Sequence, residues 1–163
     1  MFCTECGEKL ALVYAPGEGL VPYCKNCKEF RHPQYGVAVS LVVTNRAKDK
    51  ILMARHVGRE DYILFAGHVK KGEVPEKTVT REFKEETRLD TVKYKYMMSR
   101  YNEDKNQLLL NFLVMAEDGR IVIDEKELED VQWMTFDEAL AAVQKDSYAQ
   151  TFLKNALGEI KKF

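Results

Sequence analysis

Short apolar runs separated by polar turns make up most of the chain from residue 37 onward. Runs of this length that end at polar or glycine-containing turns are typical of β-strands. Polar segments at 45–50 and 102–106 separate neighbouring runs, and Asp118-Gly119 forms a further turn. The predicted strands are 37–44, 51–55, 63–65, 92–100, 108–116 and 131–134.

Three segments carry the signals of α-helices. Pro75 suits the first turn of a helix, and good helix formers follow it as far as Arg88. Two capping boxes, at 135–138 and 147–150, are expected to start helices that run to residues 143 and 157. Mixed strands with few helices predict an α/β sandwich.

All four cysteines lie in the first 27 residues, as two C-x2-C pairs separated by 17 residues. Cys3 and Cys6 form the first pair, and Cys24 and Cys27 form the second. This is the spacing of a zinc ribbon, in which four thiolates close a tetrahedral coordination sphere, so the expected Zn²⁺ is structural. Two disulfides or a redox pair are the alternatives, and neither suits two such pairs in a cytoplasmic chain.

The cysteine-containing segment sets the predicted domain organisation. A zinc ribbon is expected at 1–33, with residues 16–19 at the tip of its hairpin, and a larger domain at 34–163. Because about 30 residues cannot bury a core of their own, the metal is also expected to hold this segment folded.

The composition, with 45% hydrophobic and 31% charged residues, is that of a globular protein. The longest apolar stretch, 37–43, is shorter than the ~20 residues that span a bilayer. No basic and apolar leader follows Met1, so a cytoplasmic location is expected. A formal net charge of −1 gives no reason to expect nucleic-acid or membrane partners. The sequence does not fix the oligomeric state, and a homodimer is compatible with it.

The helix predicted at 75–88 segregates its charges. Basic residues, Arg81 among them, lie on the face opposite the apolar stripe of Val79 and Phe83. Acids flank the stripe, where they repel one another, oppose the helix dipole and are costly to bury. Hard oxygen ligands without nearby histidine or cysteine suit Mg²⁺ or Mn²⁺, which would offset these costs, whereas a solvated acidic patch is the alternative. The acids are Glu82, Glu85 and Glu86.

The same helix lies inside a longer pattern. It consists of Gly67, five residues, Glu73, seven residues and then 81–89, Arg-Glu-Phe-Lys-Glu-Glu-Thr-Arg-Leu. This resembles the Nudix box G-x5-E-x7-R-E-U-x-E-E-x-G-U, with six of its seven fixed letters and both apolar positions matched. Six chance matches have a probability on the order of 10⁻⁷ per register if each residue type occurs at ~7%. The one departure is Arg88 in place of a glycine, which costs roughly 1 kcal/mol if the helix ends in the left-handed conformation.

The resemblance implies a Nudix-type α/β/α sandwich with a mixed sheet. It also implies a hydrolase that cleaves the pyrophosphate link of a nucleoside diphosphate joined to another moiety, with NADH, ADP-ribose and related dinucleotides as substrate types. The implied ligands of Mg²⁺ or Mn²⁺ are the side chains of Glu82, Glu85 and Glu86 and the carbonyl of Ala66. Arg81 and Glu73 would orient and brace the helix.

The cysteine pairs upstream of the box and the stretch 119–128 resemble the zinc-ribbon branch of the family, which includes NADH pyrophosphatases. This implies a further metal-binding residue at Glu127, with an acidic surface turn as the alternative. The S-Q-P-W-P-F-P-x-S motif of those enzymes is not retained, since 99–107 keeps only Ser99 and has no tryptophan. Tyr101 is the candidate there to stack on a base. A flexible loop is expected at 99–107, and with it a specificity broader than, or different from, that for NADH.

Retention of all three box glutamates favours a hydrolase. A nucleotide-sensing binding module and an RNA 5′-cap hydrolase are the alternatives, and the near-neutral charge gives the second no support. The histidines are expected in surface or packing roles, and they are His32, His56 and His68.

Overall fold

The computed structural model describes all 163 residues, and the first of its two units, Met1–Tyr35, is a three-stranded antiparallel sheet. β1 (Ala11–Ala15) and β2 (Gly19–Cys24) form a hairpin, and β3 (Glu29–Phe30) pairs with the end of β2. The buried residues of this unit are few, namely Cys3, Ala15, Val21 and Cys24. Hydrophobic burial alone is therefore a weak source of stability for a segment of this size.

The second unit, Gly36–Phe163, contains six strands and three helices. In chain order the strands are β4 (Gly36–Thr44), β5 (Ile51–His56), β6 (Phe65–His68), β7 (Thr91–Asn102), β8 (Gln107–Ala116) and β9 (Leu128–Met134). The helices are α1 (Pro75–Thr87), α2 (Phe136–Ala142) and α3 (Tyr148–Glu159).

β4 is the centre of a mixed sheet with the order β7-β8-β4-β5-β9. It runs parallel to β8 and antiparallel to β5 and β6. Residues 38–44 are all buried, as expected for a strand that is covered on both faces. β5 pairs with β4 only at Val43 and Thr44, and β6 pairs with 38–41. This pairing fixes the position of Ala66 and Gly67 in β6.

Helices cover the two faces of the sheet and form two separate cores. Leu41 of β4 packs in one core with Phe83 of α1, whereas Val42 packs in the other with Phe152 of α3. This confirms the predicted α/β/α sandwich with a mixed sheet. None of the three helices combines the length and the apolar character needed to cross a bilayer.

Two of the predicted elements are wrong in detail. The strand predicted at 63–65 is β6 at Phe65–His68, and Ile63 makes only an isolated bridge with Ala54. The stretch 99–107 is not a flexible loop, because β7 runs to Asn102, which pairs with Gln107 of β8. Cross-strand pairing already fixes the backbone of residues 99–102 and 107, so ordering these residues around a ligand costs little conformational entropy.

α1 ends with Arg88 in the left-handed conformation, at φ 62° and ψ 5°. The Arg88 N–H donates to the carbonyl of Lys84 at 3.0 Å, and the following Leu89 is buried. Position 88 therefore has the left-handed backbone conformation that glycine adopts most easily, although the residue there is an arginine. This conformation costs a non-glycine residue roughly 1 kcal/mol.

We expect Arg88→Gly to be more stable than Arg88→Ala by about 1 kcal/mol, because only glycine adopts a positive φ without steric cost. The alanine variant is the matched control, since it removes the same charge and keeps the strained backbone. Urea unfolding followed by the fluorescence of the single tryptophan, Trp133, measures the difference. Equal stability of the two variants would show that the helix end is not strained.

Candidate metal and substrate site

The C-terminal half of α1 and the segment before β9 place their acidic side chains around one cavity. Its volume is about 170 Å³. Glu127, which the family resemblance implied as a metal-binding residue, is one of the lining residues. Asp124 also lines the cavity and was not identified from the sequence. Asp124 is tied to the same turn, since its carbonyl accepts hydrogen bonds from the N–H groups of Glu127 and Leu128. The full lining is Glu82, Glu85, Glu86, Arg88, Asp124 and Glu127.

Glu86 is the buried member of this cluster. It is 4% exposed, and its Oε2 atom has no hydrogen-bond partner. Burial, followed by repulsion from Glu82, Glu127 and Glu85, raises the pKa of the Glu86 carboxyl to about 8. The helix thus holds a carboxylate in a place where its charged form is disfavoured.

The predicted segregation of charge on α1 is wrong at Arg81, because the guanidinium of this residue reaches the acidic face. Its Nη1 atom lies 2.6 Å from Glu82 Oε1 and 3.1 Å from Glu85 Oε2. Its Nε and Nη2 atoms donate to the two carboxylate oxygens of Glu73, both at 2.8 Å. The long side chain bends along the helix surface, which a projection of Cα positions does not capture.

Glu73 anchors the loop before α1 to this guanidinium. The Arg81 contact holds the pKa of the Glu73 carboxyl at about 2, and the Thr78 hydroxyl and the Lys70 N–H also donate to it. Arg81 Nη2 further donates to the carbonyl of His68 at 3.1 Å. Arg81 therefore links β6, the loop and the acids of α1.

Gly67 packs so closely against the Glu82 side chain that a larger residue at this position would have to displace that side chain. A Cβ atom built on Gly67 would lie 2.0 Å from Glu82 Cδ. The glycine is required for close approach, not for a positive φ. Its neighbour Ala66 is exposed on β6 and borders a second cavity.

These acidic residues fit a divalent metal ion. Carboxylate oxygens are hard ligands, and a cation would supply the partner that the buried Oε2 atom of Glu86 lacks. The carboxylate oxygens are not, however, grouped within 4.8 Å of one another as the cysteine sulfurs are. Without a cation, Arg81 holds Glu82 and Glu85 in ion pairs.

A second cavity of about 350 Å³ lies beside β6, between the β7–β8 hairpin and the start of α3. Gln107 Nε2 and His68 Nε2 lie 2.9 Å apart on its wall. Sequence reasoning expected His68 only in a surface or packing role and missed Gln107 and Tyr148, which come from distant parts of the chain. The lining is Ala38, Ala66, Gly67, His68, Asn102, Lys105, Gln107, Leu109, Ser147, Tyr148 and Ala149.

Tyr101 borders a neighbouring cavity of about 620 Å³. Its hydroxyl is hydrogen-bonded to Asn106 Oδ1, and its carbonyl accepts from the Tyr148 hydroxyl at 3.2 Å. Tyr148 lines both cavities.

The four cysteines form a separate ligand set in the first unit. Their Sγ atoms all lie within 4.8 Å of one another. The Arg31 guanidinium lowers the pKa of the Cys3 thiol to about 6, whereas hydrogen bonding with Cys6 and Cys24 raises that of Cys27 to about 12. Four thiolates without a cation would repel one another, so this arrangement fits a divalent metal with sulfur ligands.

Residues 34–154 match the NUDIX domain family. The chain is 32% identical over 139 residues to the NAD-capped RNA hydrolase NudC of Salmonella heidelberg, covering 84% of this chain and 52% of that protein. It is 30% identical over 162 residues to the protein of the same name from Photobacterium profundum, covering 98% and 59%. The chain thus spans between half and three fifths of the length of these relatives.

Among solved structures, a NUDIX hydrolase from Nitrosomonas europaea superposes with a TM-score of 0.69 at 18% identity. The superposition covers 97% of this chain and 90% of that one. At this level of identity the likeness concerns the fold.

In protein stripped of Mg²⁺ and Mn²⁺, we expect stability to fall as the pH rises from about 5 to about 8. The Glu86 carboxyl has an ordinary pKa of 4.5 when unfolded and about 8 when folded, so over this range the folded chain binds more protons. Glu73 acts in the opposite sense, but only below its ordinary pKa of 4.5.

Urea unfolding at several pH values measures this slope. Glu86→Gln should flatten it, whereas Glu76→Gln, an exposed acid in the first turn of α1, should retain it. An equal slope in the wild type and Glu86→Gln would show that Glu86 titrates normally in the folded chain.

Proposed function

The chain belongs to the NUDIX family, and on that premise we propose that it is a metal-dependent hydrolase that cleaves the pyrophosphate link of a nucleoside diphosphate joined to a second moiety. The observation that carries the proposal is the buried, unpartnered oxygen of Glu86 within a cavity lined by further acids. A binding module would not need to keep so costly a group. The nucleotide-sensing alternative is therefore not favoured.

Glu82, Glu85 and Glu86 would hold Mg²⁺ or Mn²⁺, together with Glu127 and the carbonyl of Ala66. When bound, such an ion neutralises diphosphate charge and lowers the pKa of the attacking water. The Glu85 side chain is 53% exposed and is paired with Arg81. Glu82 is 16% exposed and is held by Arg81.

Arg81 and Glu73 are assigned positioning roles, because their contacts are with the helix and its flanking segments. Arg81 restrains Glu82 and Glu85 and also holds the carbonyl of His68. Its loss would release both acids at once.

The cavity beside Gly67 is the proposed binding site of the nucleotide. His68 and Gln107 supply polar groups, Lys105 supplies a positive charge near a diphosphate, and Tyr148 offers an aromatic ring. The relatives are named for NAD-capped RNA, whose cap contains the same pyrophosphate link as NAD, so capped RNA is a second candidate substrate. Tyr101 is kept as a candidate contact on the neighbouring cavity wall.

We assign the ribbon to residues 1–33 and the hydrolase to 34–163. Cys3, Cys6, Cys24 and Cys27 are proposed to hold one structural Zn²⁺, because four thiolates leave no coordination position for a substrate. The metal would contribute stability to a unit with few buried residues.

With Mn²⁺, we expect the chain to hydrolyse NADH and ADP-ribose, with kcat/KM for NADH no greater than that for ADP-ribose. The reason is that the 99–107 hairpin lacks the tryptophan and prolines of NADH pyrophosphatases. Steady-state rates on both compounds and on NAD-capped RNA measure the specificity. A hundredfold preference for NADH over ADP-ribose would contradict the proposed specificity but not the proposed hydrolase activity.

Glu86→Gln should lower kcat/KM on the best substrate by at least a hundredfold while the chain stays folded. Glu76→Gln keeps the cavity intact and is expected to retain wild-type activity. Turnover by Glu86→Gln within tenfold of the wild type would contradict the proposed function itself.

We expect one Zn²⁺ per chain by elemental analysis, lost in Cys24→Ser and kept in His32→Ala. Histidine is not needed where four thiolates are present. Zinc-free protein with two disulfides, detected by mass spectrometry, would contradict the assignment.

A further inference from the structure

Arg31 directs its guanidinium at a cysteine sulfur. It follows β3, and its backbone N–H donates to the carbonyl of Pro22 at 2.7 Å, which fixes the start of the side chain. Its Nε atom donates to Cys3 Sγ at 3.3 Å, and its Nη1 atom lies 2.5 Å from Glu29 Oε2. The guanidinium thus lies between a thiol and a carboxylate.

The contact with the sulfur is shielded from water, and the contact with Glu29 is not. Cys3 is 3% exposed and the Arg31 side chain 17%, whereas the Glu29 side chain is 66% exposed. Charge-assisted hydrogen bonds gain strength where water is excluded, and exposed ion pairs contribute little. The N–H···S bond is therefore the stronger of the two interactions.

Four thiolates around a divalent cation leave a net charge of −2, which a nearby fixed cation partly offsets. We infer that Arg31 is a positioning residue of the zinc site, whose Nε–H donates to Cys3 Sγ and thereby strengthens the retention of zinc. This inference rests on the proposed Zn²⁺ site and not on the hydrolase activity. Groups that hydrogen-bond to metal ligands typically contribute 10–100-fold to metal affinity.

A purely structural role is the competing explanation, in which Arg31 matters because its ion pair with Glu29 braces β3. Glu29→Gln separates the two explanations, since it weakens the ion pair and leaves the N–H···S bond in place. Lys25→Met is the matched control for lost positive charge, because Lys25 lies next to Cys24 and is exposed.

Competition with a chromophoric chelator measures the zinc affinity of the full chain. Arg31→Met should bind zinc at least tenfold more weakly than the wild type, and Arg31→Gln, which keeps a donor without the charge, should fall between the two. Glu29→Gln and Lys25→Met should stay within threefold of the wild type.

The Co²⁺-substituted protein provides a second readout, because its thiolate-to-metal charge-transfer absorption depends on the electron density at sulfur. Loss of the N–H···S bond should shift this absorption to lower energy in Arg31→Met and leave it in place in Glu29→Gln. Arg31→Gln supplies both readouts if Arg31→Met does not fold.

Wild-type affinity and an unshifted absorption in the Arg31 variants would overturn the inference, as would a loss in Glu29→Gln equal to that in Arg31→Met. Failure of the wild type to bind zinc would overturn the zinc assignment, and the inference with it, before any variant is compared. The hydrolase proposal does not depend on any of these outcomes.

Discussion

The candidate site depends on one unpaired carboxylate. The Oε2 atom of Glu86 is buried without a hydrogen bond, and three other glutamates raise the cost of its charge. Removing a carboxylate from water without a partner disfavours the folded state, and a protein retains such a group when something else compensates it. The packing of Val79 and Phe83 against the sheet holds α1 in place despite this cost. A bound cation would convert the same burial into a strong and specific interaction.

Arg81 determines where that cation is needed. Its guanidinium forms ion pairs with Glu73, Glu82 and Glu85 but none with Glu86. One fixed positive charge therefore partly neutralises the outer acids and leaves the buried one uncompensated. The same side chain donates to the carbonyl of His68, so the strand that borders the proposed nucleotide cavity is tied to the helix that carries the acids. A substitution at Arg81 is expected to disturb both parts of the site together.

Local patterns predicted most of the fold and part of the site. The capping box at Thr135 and Glu138 forms as expected, because it depends on residues three apart. The box glutamates were identifiable because their spacing on one helix brings them together. Asp124, Gln107 and Tyr148 were not, since they enter the site through the turn before β9, the β7–β8 hairpin and the start of α3. The pair of Arg81 with Glu85 has i,i+4 spacing and was identifiable from the sequence, whereas the pairs with Glu73 and Glu82 depend on how a long side chain bends.

We expect Glu86 to hold a proton in the metal-free chain and to give it up when a cation binds. Calorimetric titration with Mn²⁺ at pH 7, repeated in buffers of different ionisation enthalpy, counts the protons released per ion bound. Because burial and the neighbouring glutamates raise the pKa of Glu86 to about 8, we expect the release of about one proton. Glu76→Gln should release the same number. Binding of Mn²⁺ without proton release would contradict the account, because it would show that Glu86 is already ionised without a metal or takes no part in binding one.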